Sequence, residues 1–379
     1  MSVKFHFHFS RIRAFTLVEI MVSMVVLSLI LVLMFQITNN TTKLWQHTRS
    51  RIDAFQAGRE AYETVTSNLS QAMLNTYWDY ADKDGKSRSD LKTDLEKQDF
   101  VPKNYVRQSD LQFTSGPSST LLAAAGVHGL DGDNTSTESV FFQAPLGITN
   151  KANGLANLLN ATGYFIQFSD DINERPNFLK NSSVIPIRYR YRLMELRQPT
   201  EKFSLYADTA KSNNALQSKK WFQDALNDPG PLGDYPSRHT VAENVIALIL
   251  LPKRSPNDKP PDNAPATLSP NYNYDSRLYE TQLSDPYAKI SRNQLPPMVL
   301  VTMVVVDEKG VQRLAAKSGA SSTTPPAELK VPVSSFTTES AYESDLAALE
   351  KQLTDNHIDY RVFSTNVSIL QAKWSEDKL

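Results

Sequence analysis

The sequence predicts an α+β fold in which a long N-terminal helix, first transmembrane and then amphipathic, packs on a head of mostly antiparallel β-sheet. Three observations lead to this prediction. An apolar run lies near the N-terminus, and a proline-free stretch with helical spacing continues it. Short apolar segments then alternate with long polar loops through the rest of the 379 residues. With 40% hydrophobic residues, the chain can bury a sizeable core.

The overall charge and the cysteine content exclude several classes of function. Forty basic and 41 acidic residues give a formal net charge of −1, unlike a protein held mainly by nucleic-acid phosphates. The chain has no cysteine, so a disulfide framework, a thiolate nucleophile, an iron–sulfur cluster and Cys-ligated zinc are excluded. We therefore expect neither a nucleic-acid partner nor cysteine-based chemistry.

Residues 15–35 form the first predicted element, a membrane-spanning helix. They read FTLVEIMVSMVVLSLILVLMF, 21 residues with one charge, at Glu19. At about 1.5 Å per residue they cover about 30 Å, the thickness of a bilayer core. Three basic residues and no acidic residue precede the run, so the positive-inside rule keeps the N-terminus in the cytoplasm and predicts translocation of the rest. The run is too long for a cleaved secretory signal, and a buried core helix is the other alternative.

Glu19 is unusual in this span because an ionisable side chain inside a bilayer costs at least about 2.5 kcal/mol. The span contains no basic residue that could pair with it. Cleavage between Ala14 and Phe15 would create a free amine at Phe15. The Phe15 amine of an adjacent copy of the chain could then pair with the Glu19 carboxylate. The alternative is a carboxylate that snorkels or is protonated in an uncleaved anchor.

The stretch Arg13-Ala14-Phe15-Thr16-Leu17-Val18-Glu19 resembles the type IV prepilin signature, in which a basic leader and a small residue precede Phe-Thr-Leu-x-Glu and a long apolar helix. The resemblance implies that a membrane-embedded prepilin peptidase removes residues 1–14 and methylates the new amine of Phe15. It also implies that Glu19 promotes subunit registration during assembly. Ala14 departs from the usual glycine, and this leader is longer than that of many pilins.

Residues 36–77 are predicted to continue the helix beyond the membrane. Between Phe15 and Tyr77 there is no proline and one glycine, Gly58. Apolar or small side chains recur at helical spacing along one stripe: Trp45, Thr48, Ile52, Phe55, Tyr62, Val65, Leu69 and Met73. We expect this stripe to lie on a head formed by residues 78–379, which would give the lollipop shape of pilins.

The head is predicted to contain seven strands: Asp110–Phe113, Val140–Gln143, Tyr164–Phe168, Ile187–Leu196, Val241–Leu251, Met298–Val306 and Ile358–Gln371. Arginines 188, 190 and 192 alternate on one face of the fourth strand, which we interpret as a solvated face rather than a polyanion site. Residues Ser340–Leu353 predict an amphipathic helix with a capping box of Ser340 and Glu343. The segments 253–297 and 315–335 are expected to be surface loops or partner contacts.

The sequence contains no recognisable catalytic constellation. His128, His239 and His357 are the histidines of the head, and they lie far apart without an HxH, HExxH or GxSxG pattern. No phosphate-binding loop is present, and residues 82–85 and 131–134 lack the alternating carboxylates of a calcium loop. We expect no catalytic residue, no cofactor and no metal, and therefore not an enzyme.

Four further stretches resemble the Verru_Chthon cassette protein C family, whose members are prepilin-like: residues 75–80, 139–147, 190–195 and 360–365. Residues 241–248 and 295–302 are similar to strands of minor pseudopilin J of type II secretion, which sits at the tip of a short periplasmic pseudopilus. The long insertions of this chain depart from pseudopilin J.

The resemblances imply a structural subunit that a prepilin peptidase processes and that assembles with other prepilin-like subunits into a type IV pilus or type II secretion-like pseudopilus. Its implied surroundings are membrane lipid, an inner-membrane assembly platform and, for the head, the periplasm or an extracellular filament. The alternative function is a membrane-anchored surface module whose loops bind a polysaccharide, DNA or an exported protein.

Overall fold

The computed structural model describes residues 16–84, 86–88, 91, 93–151, 157–176, 178–180, 184–205, 219–231, 235–255, 267–269, 271–277, 291–318 and 323–373. The chain divides into two compact units, Met1–Ser50 and Arg51–Leu379. Helix α1 (Leu17–Ser70) contributes residues to both units, and all of the strands lie in the second.

Helix α1 is continuous over 54 residues, as the proline-free sequence predicts, but it ends at Ser70, before the expected boundary at residue 77. Its end follows from the local hydrogen bonds. The Gln71 amide donates to the Asn68 carbonyl at 3.2 Å in a tighter turn, and the Met73 amide donates to the Gln143 carbonyl at 2.9 Å. The backbone beyond Ser70 is therefore held by the head rather than by the helix.

Three antiparallel sheets form the framework of the second unit. One sheet has six strands in the order β7-β6-β5-β4-β3-β9, one has three in the order β11-β10-β8, and one pairs β1 with β2. The strand pairs of the described residues are all antiparallel, which confirms the predicted α+β class. The strands are β1 Tyr77–Ala81, β2 Asn104–Gln108, β3 Thr114–Pro117, β4 Thr135–Ala144, β5 Asn160–Ser169, β6 Arg190–Gln198, β7 Arg238–Glu243, β8 Val245–Lys253, β9 Tyr274–Asp275, β10 Met298–Val306 and β11 Tyr360–Ser368.

Among the residues that the structure describes, four shorter helices accompany the sheets: α2 Asp94–Gln98, α3 Lys220–Asn227, α4 Glu308–Ser318 and α5 Tyr342–Asp355. The predicted capping box of α5 is wrong, because Ser340 lies in a separate 3₁₀ turn, Glu339–Ala341, and the helix begins without a side-chain cap. Leu349 and Leu353 are buried, as the amphipathic pattern predicts.

The predicted strand Val241–Leu251 is two strands, β7 and β8, which belong to different sheets. The break is at Asn244, which has a left-handed backbone with φ 63°. Asparagine tolerates this conformation better than the β-branched residues around it. The Asn244 amide donates to the Tyr191 carbonyl at 2.7 Å and its carbonyl accepts from the Val306 amide at 2.9 Å, so this residue links the two sheets.

Residues Asp110–Phe113 were predicted as a strand, but they connect β2 to β3. The side-chain oxygen of Asn75 accepts hydrogen bonds from the backbone amides of Asp110 and Leu111 at 2.9 and 3.1 Å. A side chain therefore takes the place of a neighbouring strand, which periodicity alone does not reveal.

The head half of α1 packs on the three-stranded sheet within the second unit. The Tyr62 hydroxyl donates to the Val301 carbonyl at 3.0 Å, and its ring stacks on Phe363 with centroids 5.6 Å apart. A Cβ at Gly58 would stand 2.9 Å from a methyl group of Val305, so the absent side chain lets the helix approach β10 closely. Val65 and Leu69 of the same helix are completely buried in the main core cluster.

The segment 253–297 is not wholly a surface loop, as had been expected. Among its described residues, Leu268, Tyr272, Tyr274 and Leu295 belong to the main buried cluster, and β9 forms one edge of the six-stranded sheet. The structure does not describe residues 256–266, 270 and 278–290, so the predicted surface role of those residues stays a prediction.

Candidate membrane anchor and processing site

The N-terminus of α1 is closed by a reciprocal pair of hydrogen bonds between Thr16 and Glu19. The Glu19 amide donates to Thr16 Oγ1 at 3.3 Å, and Glu19 Oε2 accepts from the Thr16 amide at 3.0 Å. Oε2 also accepts from the Thr16 hydroxyl at 3.0 Å. This is a capping box, in which two backbone amides of the first turn receive side-chain acceptors.

The capping box gives Glu19 a hydrogen-bond partner within its own helix, while pairing with the Phe15 amine of an adjacent copy stays a prediction. Thr16 supplies an intrachain partner, and the signal for it, Thr-x-x-Glu at the start of the apolar run, is visible in the sequence. Both hydrogen bonds from Thr16 fall on Oε2. Oε1 accepts no hydrogen bond from the residues that the structure describes.

The remainder of the apolar segment has the surface of a lipid-facing helix. In the described part of the chain, α1 alone is long and apolar enough to cross a membrane, and its most apolar 18-residue window is 0% buried. The side chains of Leu17 and Phe35, near the two ends, are 75% and 68% exposed. A helix that is apolar on all sides and buried against no protein is consistent with a membrane anchor.

Two serines within the span bond to their own helix. The Ser23 hydroxyl donates to the Glu19 carbonyl at 2.7 Å, and the Ser28 hydroxyl donates to the Val25 carbonyl at 2.9 Å. A hydroxyl without an acceptor would be costly in hydrocarbon, so these bonds make both serines compatible with lipid.

Ala14 and Phe15, the residues predicted to flank the cleavage point, lie outside the described residues. Cleavage after Ala14 and methylation of the Phe15 amine therefore stay predictions. Within the predicted motif, the structure describes Thr16 to Glu19 and positions the Glu19 carboxylate at the first turn of the helix.

The three histidines of the head lie in separate environments. His128 stacks on Tyr235 with ring centroids 5.4 Å apart, while His239 is on β7, opposite Glu195 of β6. Burial, and then the charge of Arg197, lower the pKa of His239. Among the residues that the structure describes, no group of three or more His, Asp or Glu side chains is placed to hold a metal ion.

The predicted solvated face of arginines on β6 is wrong for two of its three members. The side chains of Arg190 and Arg192 are 4% and 0% exposed, and they form ion pairs with Glu308 at 2.9 Å and Glu243 at 3.2 Å. Although burial opposes ionisation of Glu308, the hydrogen bonds and charge of Arg190 lower its pKa below the ordinary value. These arginines therefore join elements of the fold rather than offer a polyanion site.

Three consecutive side chains of β4 close the open edge of β8. Ser136 Oγ donates to the Ile246 carbonyl at 2.6 Å. Thr137 Oγ1 donates to the Leu248 carbonyl at 2.7 Å and accepts from the Leu248 amide at 2.9 Å. Glu138 accepts from the Leu250 amide. Such closure protects an edge strand from pairing with other chains.

This edge closure depends on a bulge in β4. The β4–β5 register shifts between Ser136 and Val140, and Thr137 has a left-handed backbone with φ 48°. Glu138 is 2% exposed, its Oε1 has no hydrogen-bond partner among the described residues, and burial raises its pKa well above the ordinary value. A neutral carboxyl is therefore favoured at this position.

A cleft of about 110 Å³ lies beside the bulge. Its lining includes Asp133, Glu138 and Lys330, and the Lys330 ammonium is paired with Asp133 at 3.1 Å. No histidine lines this cleft, and its basic group is already neutralised.

The comparisons with known proteins concern the N-terminus. Residues 9–35 match the prokaryotic N-terminal methylation motif, a stretch that includes the predicted cleavage point, Glu19 and the apolar run. Comparison with the curated proteins and with the solved structures gives no match. Together with the apolar N-terminal helix, the motif supports a prepilin-like protein, a subunit of the type IV pilin kind.

Proposed function

We propose that this chain is a minor pilin or pseudopilin, a structural subunit that a prepilin peptidase cleaves after Ala14 and that assembles into a type IV pilus or type II secretion-like pseudopilus. The supporting observation is the methylation motif at residues 9–35, which leads directly into a 54-residue helix with an exposed apolar N-terminal half. The resemblances at residues 75–80, 139–147, 190–195 and 360–365 support the Verru_Chthon cassette protein C family as the particular group.

In this proposal the capping box presents Glu19 to a neighbouring subunit. Thr16 holds Oε2, and Oε1 receives the methylated Phe15 amine of the adjacent copy. In lipid, an ion pair between chains removes the cost of an isolated carboxylate, so association of the helices is favoured over the separate state. The pairing also fixes the axial offset between neighbouring subunits. Within one chain the Phe15 amine lies one helical turn from Glu19, so pairing it with the Glu19 of a neighbour sets how far the two helices are displaced.

The basic leader supports an orientation with the N-terminus in the cytoplasm and the head in the periplasm. The partners are then the prepilin peptidase, other prepilin-like subunits, an inner-membrane assembly platform and membrane lipid. As the resemblance to pilins implies, force for extrusion would come from a separate cytoplasmic ATPase, and this sequence contains no phosphate-binding loop.

The processing step is tested by determining the N-terminus of the full-length protein extracted from membranes. In cells with an active prepilin peptidase, the chain should begin at Phe15 and carry the mass of one methyl group. The same cells with an inactive peptidase are the control and should yield residues 1–14 intact. A chain that keeps its leader in the presence of the active peptidase would refute the proposal.

A further inference from the structure

The segment Phe336–Asp345, which we call the flap, leads into helix α5 and lies over a buried polar region of the head. Of its ten residues, Phe336 alone is buried. Later in α5, Leu349 and Leu353 belong to the main core. The flap is therefore attached to the head more weakly than the rest of α5, and such segments open at a low cost in free energy.

Two buried polar groups in this region have no partner. Glu138 of β4 is 2% exposed, and its Oε1 atom accepts no hydrogen bond from a described residue. Tyr272 is 0% exposed, and its hydroxyl is also without a hydrogen-bond partner among the described residues. Because buried polar groups are nearly always satisfied, these two groups make the closed arrangement costly.

The flap supplies most of the acidic groups that surround Tyr272. Burial raises the pKa of the Tyr272 hydroxyl, and so do four acidic groups near it: Glu138, Asp345, Tyr342 and Glu339. Three of these four belong to the flap. Within the described part of the chain, none of the three carboxylates forms an ion pair with a lysine or arginine. The flap therefore brings two carboxylates into the region of Glu138 without a compensating positive charge.

The cleft beside Glu138 does not supply that charge either. Its other titratable lining groups are Asp133, Tyr191 and Lys330, and Lys330 is already paired with Asp133 at 3.1 Å. Phe336 also lines this cleft of about 110 Å³. Movement of the flap would therefore give water a route from the cleft to Glu138.

Hydrogen bonds keep the flap closed while Glu138 is neutral. The Thr302 hydroxyl of β10 lies 2.8 Å from the Tyr342 hydroxyl, and Glu339 accepts a hydrogen bond from the Thr267 hydroxyl. Ionisation of Glu138 would add a third carboxylate charge to a region that has no cation. Like charges repel strongly where water is excluded, so these hydrogen bonds would then be opposed by electrostatic repulsion.

We propose that the flap is a proton-controlled device, which stays closed over Glu138 while this carboxyl is neutral and opens when the carboxyl loses its proton. Opening moves Glu339 and Asp345 away from the new charge and lets water solvate it. The device uses residues of the head and neither the methylation motif nor Glu19, so it is independent of the proposed assembly.

The direction of the pH dependence follows from the two environments of Glu138. In the closed state burial raises its pKa well above the ordinary 4.5, whereas in the open state water restores the ordinary value. The preference for the closed state is therefore complete below about pH 4.5 and is lost as pH rises through the raised pKa. Between these limits the population of the open state should grow about tenfold per pH unit.

The test places a thiol beneath the flap of the full-length protein, which has no cysteine of its own. In Thr302→Cys the thiol replaces the hydroxyl that contacts Tyr342, and its reaction rate with a maleimide is measured in detergent from about pH 5 to about pH 9. Division by the rate of the exposed Ser334→Cys removes the pH dependence of the thiol itself. This ratio should rise about tenfold per pH unit until Glu138 is ionised, and it should stay constant when Glu138→Gln is added.

Two controls separate the flap from other causes of reactivity. Glu343→Gln removes an exposed carboxylate of the flap that is not among the groups around Tyr272, and it should leave the rise intact. Thr162→Cys places a thiol at a threonine of β5 that is 0% exposed, and the rate ratio of this variant should stay constant. Should Glu138→Gln fail to fold, the comparison of Thr302→Cys with Thr162→Cys still decides.

A constant ratio for Thr302→Cys across the pH range would overturn the proposal, as would a rise that persists with Glu138→Gln. An equal rise for Thr162→Cys would mean that the whole head opens, which would overturn it too. Processing at Phe15 is measured separately, so failure here leaves the proposed function standing.

Discussion

Three glutamate carboxylates of this protein have very different surroundings. Glu19 has Thr16 on one oxygen, Glu308 has Arg190, and Glu138 has a single backbone amide in a fully buried site. The sequence identified Glu19, because a charge within an apolar run is visible without a structure. It did not identify Glu308 or Glu138, because alternation along a strand says which residues share a face and not what covers that face.

Replacing Glu19 by alanine should leave membrane insertion intact and reduce assembly about tenfold or more, because the variant lacks the carboxylate that we propose pairs with the neighbouring Phe15 amine. The measurement is the yield of crosslinked or sheared filament relative to total membrane-bound subunit. Ser23→Ala is the control, because the Ser23 hydroxyl bonds only within its own helix. Undiminished assembly of the Glu19 variant would show that the carboxylate has no role in registration.

Replacing Glu138 by glutamine should flatten the pH dependence of stability. The native pKa of Glu138 is raised above its unfolded value, so its contribution is fully present below about pH 4.5 and is lost as pH rises toward the native pKa. Glutamine keeps an acceptor for the Leu250 amide and has no charge to bury. The free energy of unfolding of the variant, relative to the wild type, should therefore increase with pH through this window.

Replacing Glu308 by glutamine should have the opposite dependence on pH. Its native pKa is lowered, so the pairing with Arg190 stabilises the fold above about pH 4.5 and is lost as pH falls through the native pKa. The variant should be less stable than the wild type at pH 7, and the difference should shrink in acid. Denaturant unfolding at several pH values measures this, and a difference independent of pH would contradict it.

At the scale of elements, the long helix and the long apolar strands were predictable from the sequence, whereas the points at which they break or end were not. Strand β10 has the predicted bounds, Met298–Val306, because nine apolar residues in a row leave little ambiguity. The break at Asn244 within an apolar segment was missed, since it depends on one backbone conformation. The end of α1 was also missed, because the amide of Met73 finds its acceptor in a strand 70 residues later.

Gly163 on β5 has no room for a side chain. It lies opposite Phe141 across the strands, and a Cβ there would stand 2.1 Å from the Phe141 ring and 2.7 Å from the Val140 carbonyl oxygen. The ring cannot easily move, because it stacks on Phe222 with centroids 4.0 Å apart. The close approach of ring and backbone explains why glycine occupies the middle of this strand.

Gly163→Ala should therefore destabilise the protein by about 2 kcal/mol or more, the usual cost of overpacking a core. The measurement is the midpoint of thermal unfolding of the full-length protein in detergent. Gly132→Ala is the matched control, since a Cβ at Gly132 would meet nothing within 4 Å. Equal midpoints for the two variants would mean that β5 shifts to make room.

At the scale of the whole molecule, the two units differ in the burial of their apolar side chains. Every buried apolar residue among those described lies in Arg51–Leu379. The described side chains of the first unit, Met1–Ser50, are all exposed. The second unit therefore has its own hydrophobic core, whereas the first exposes its apolar side chains, which is consistent with a membrane anchor. The sequence predicts the apolar anchor at residues 15–35 through the contrast between one apolar run and an otherwise hydrophilic chain, but it does not predict a division at Ser50.

Adding two lysines to the span, as Val25→Lys with Leu29→Lys, should abolish stable membrane anchoring, because each costs about 2.5–3.5 kcal/mol at the centre of a bilayer. The measurement is the fraction of protein that resists extraction from membranes with alkaline carbonate. Thr42→Lys with Thr48→Lys adds the same charge beyond the apolar run and should leave that fraction unchanged. Retention of the Val25 and Leu29 variant would contradict a membrane-spanning role for α1.

The side chains of β4 that close the edge of β8 also affect how the protein unfolds. Ser136, Thr137 and Glu138 bond to backbone groups of alternate β8 residues, Ile246, Leu248 and Leu250. A slip of β8 by one residue would break these bonds and turn its apolar side chains to the other face. The three-stranded sheet therefore completes its hydrogen bonding only when the bulge of the six-stranded sheet is in place. We expect the two sheets to melt as one cooperative body, in a single transition.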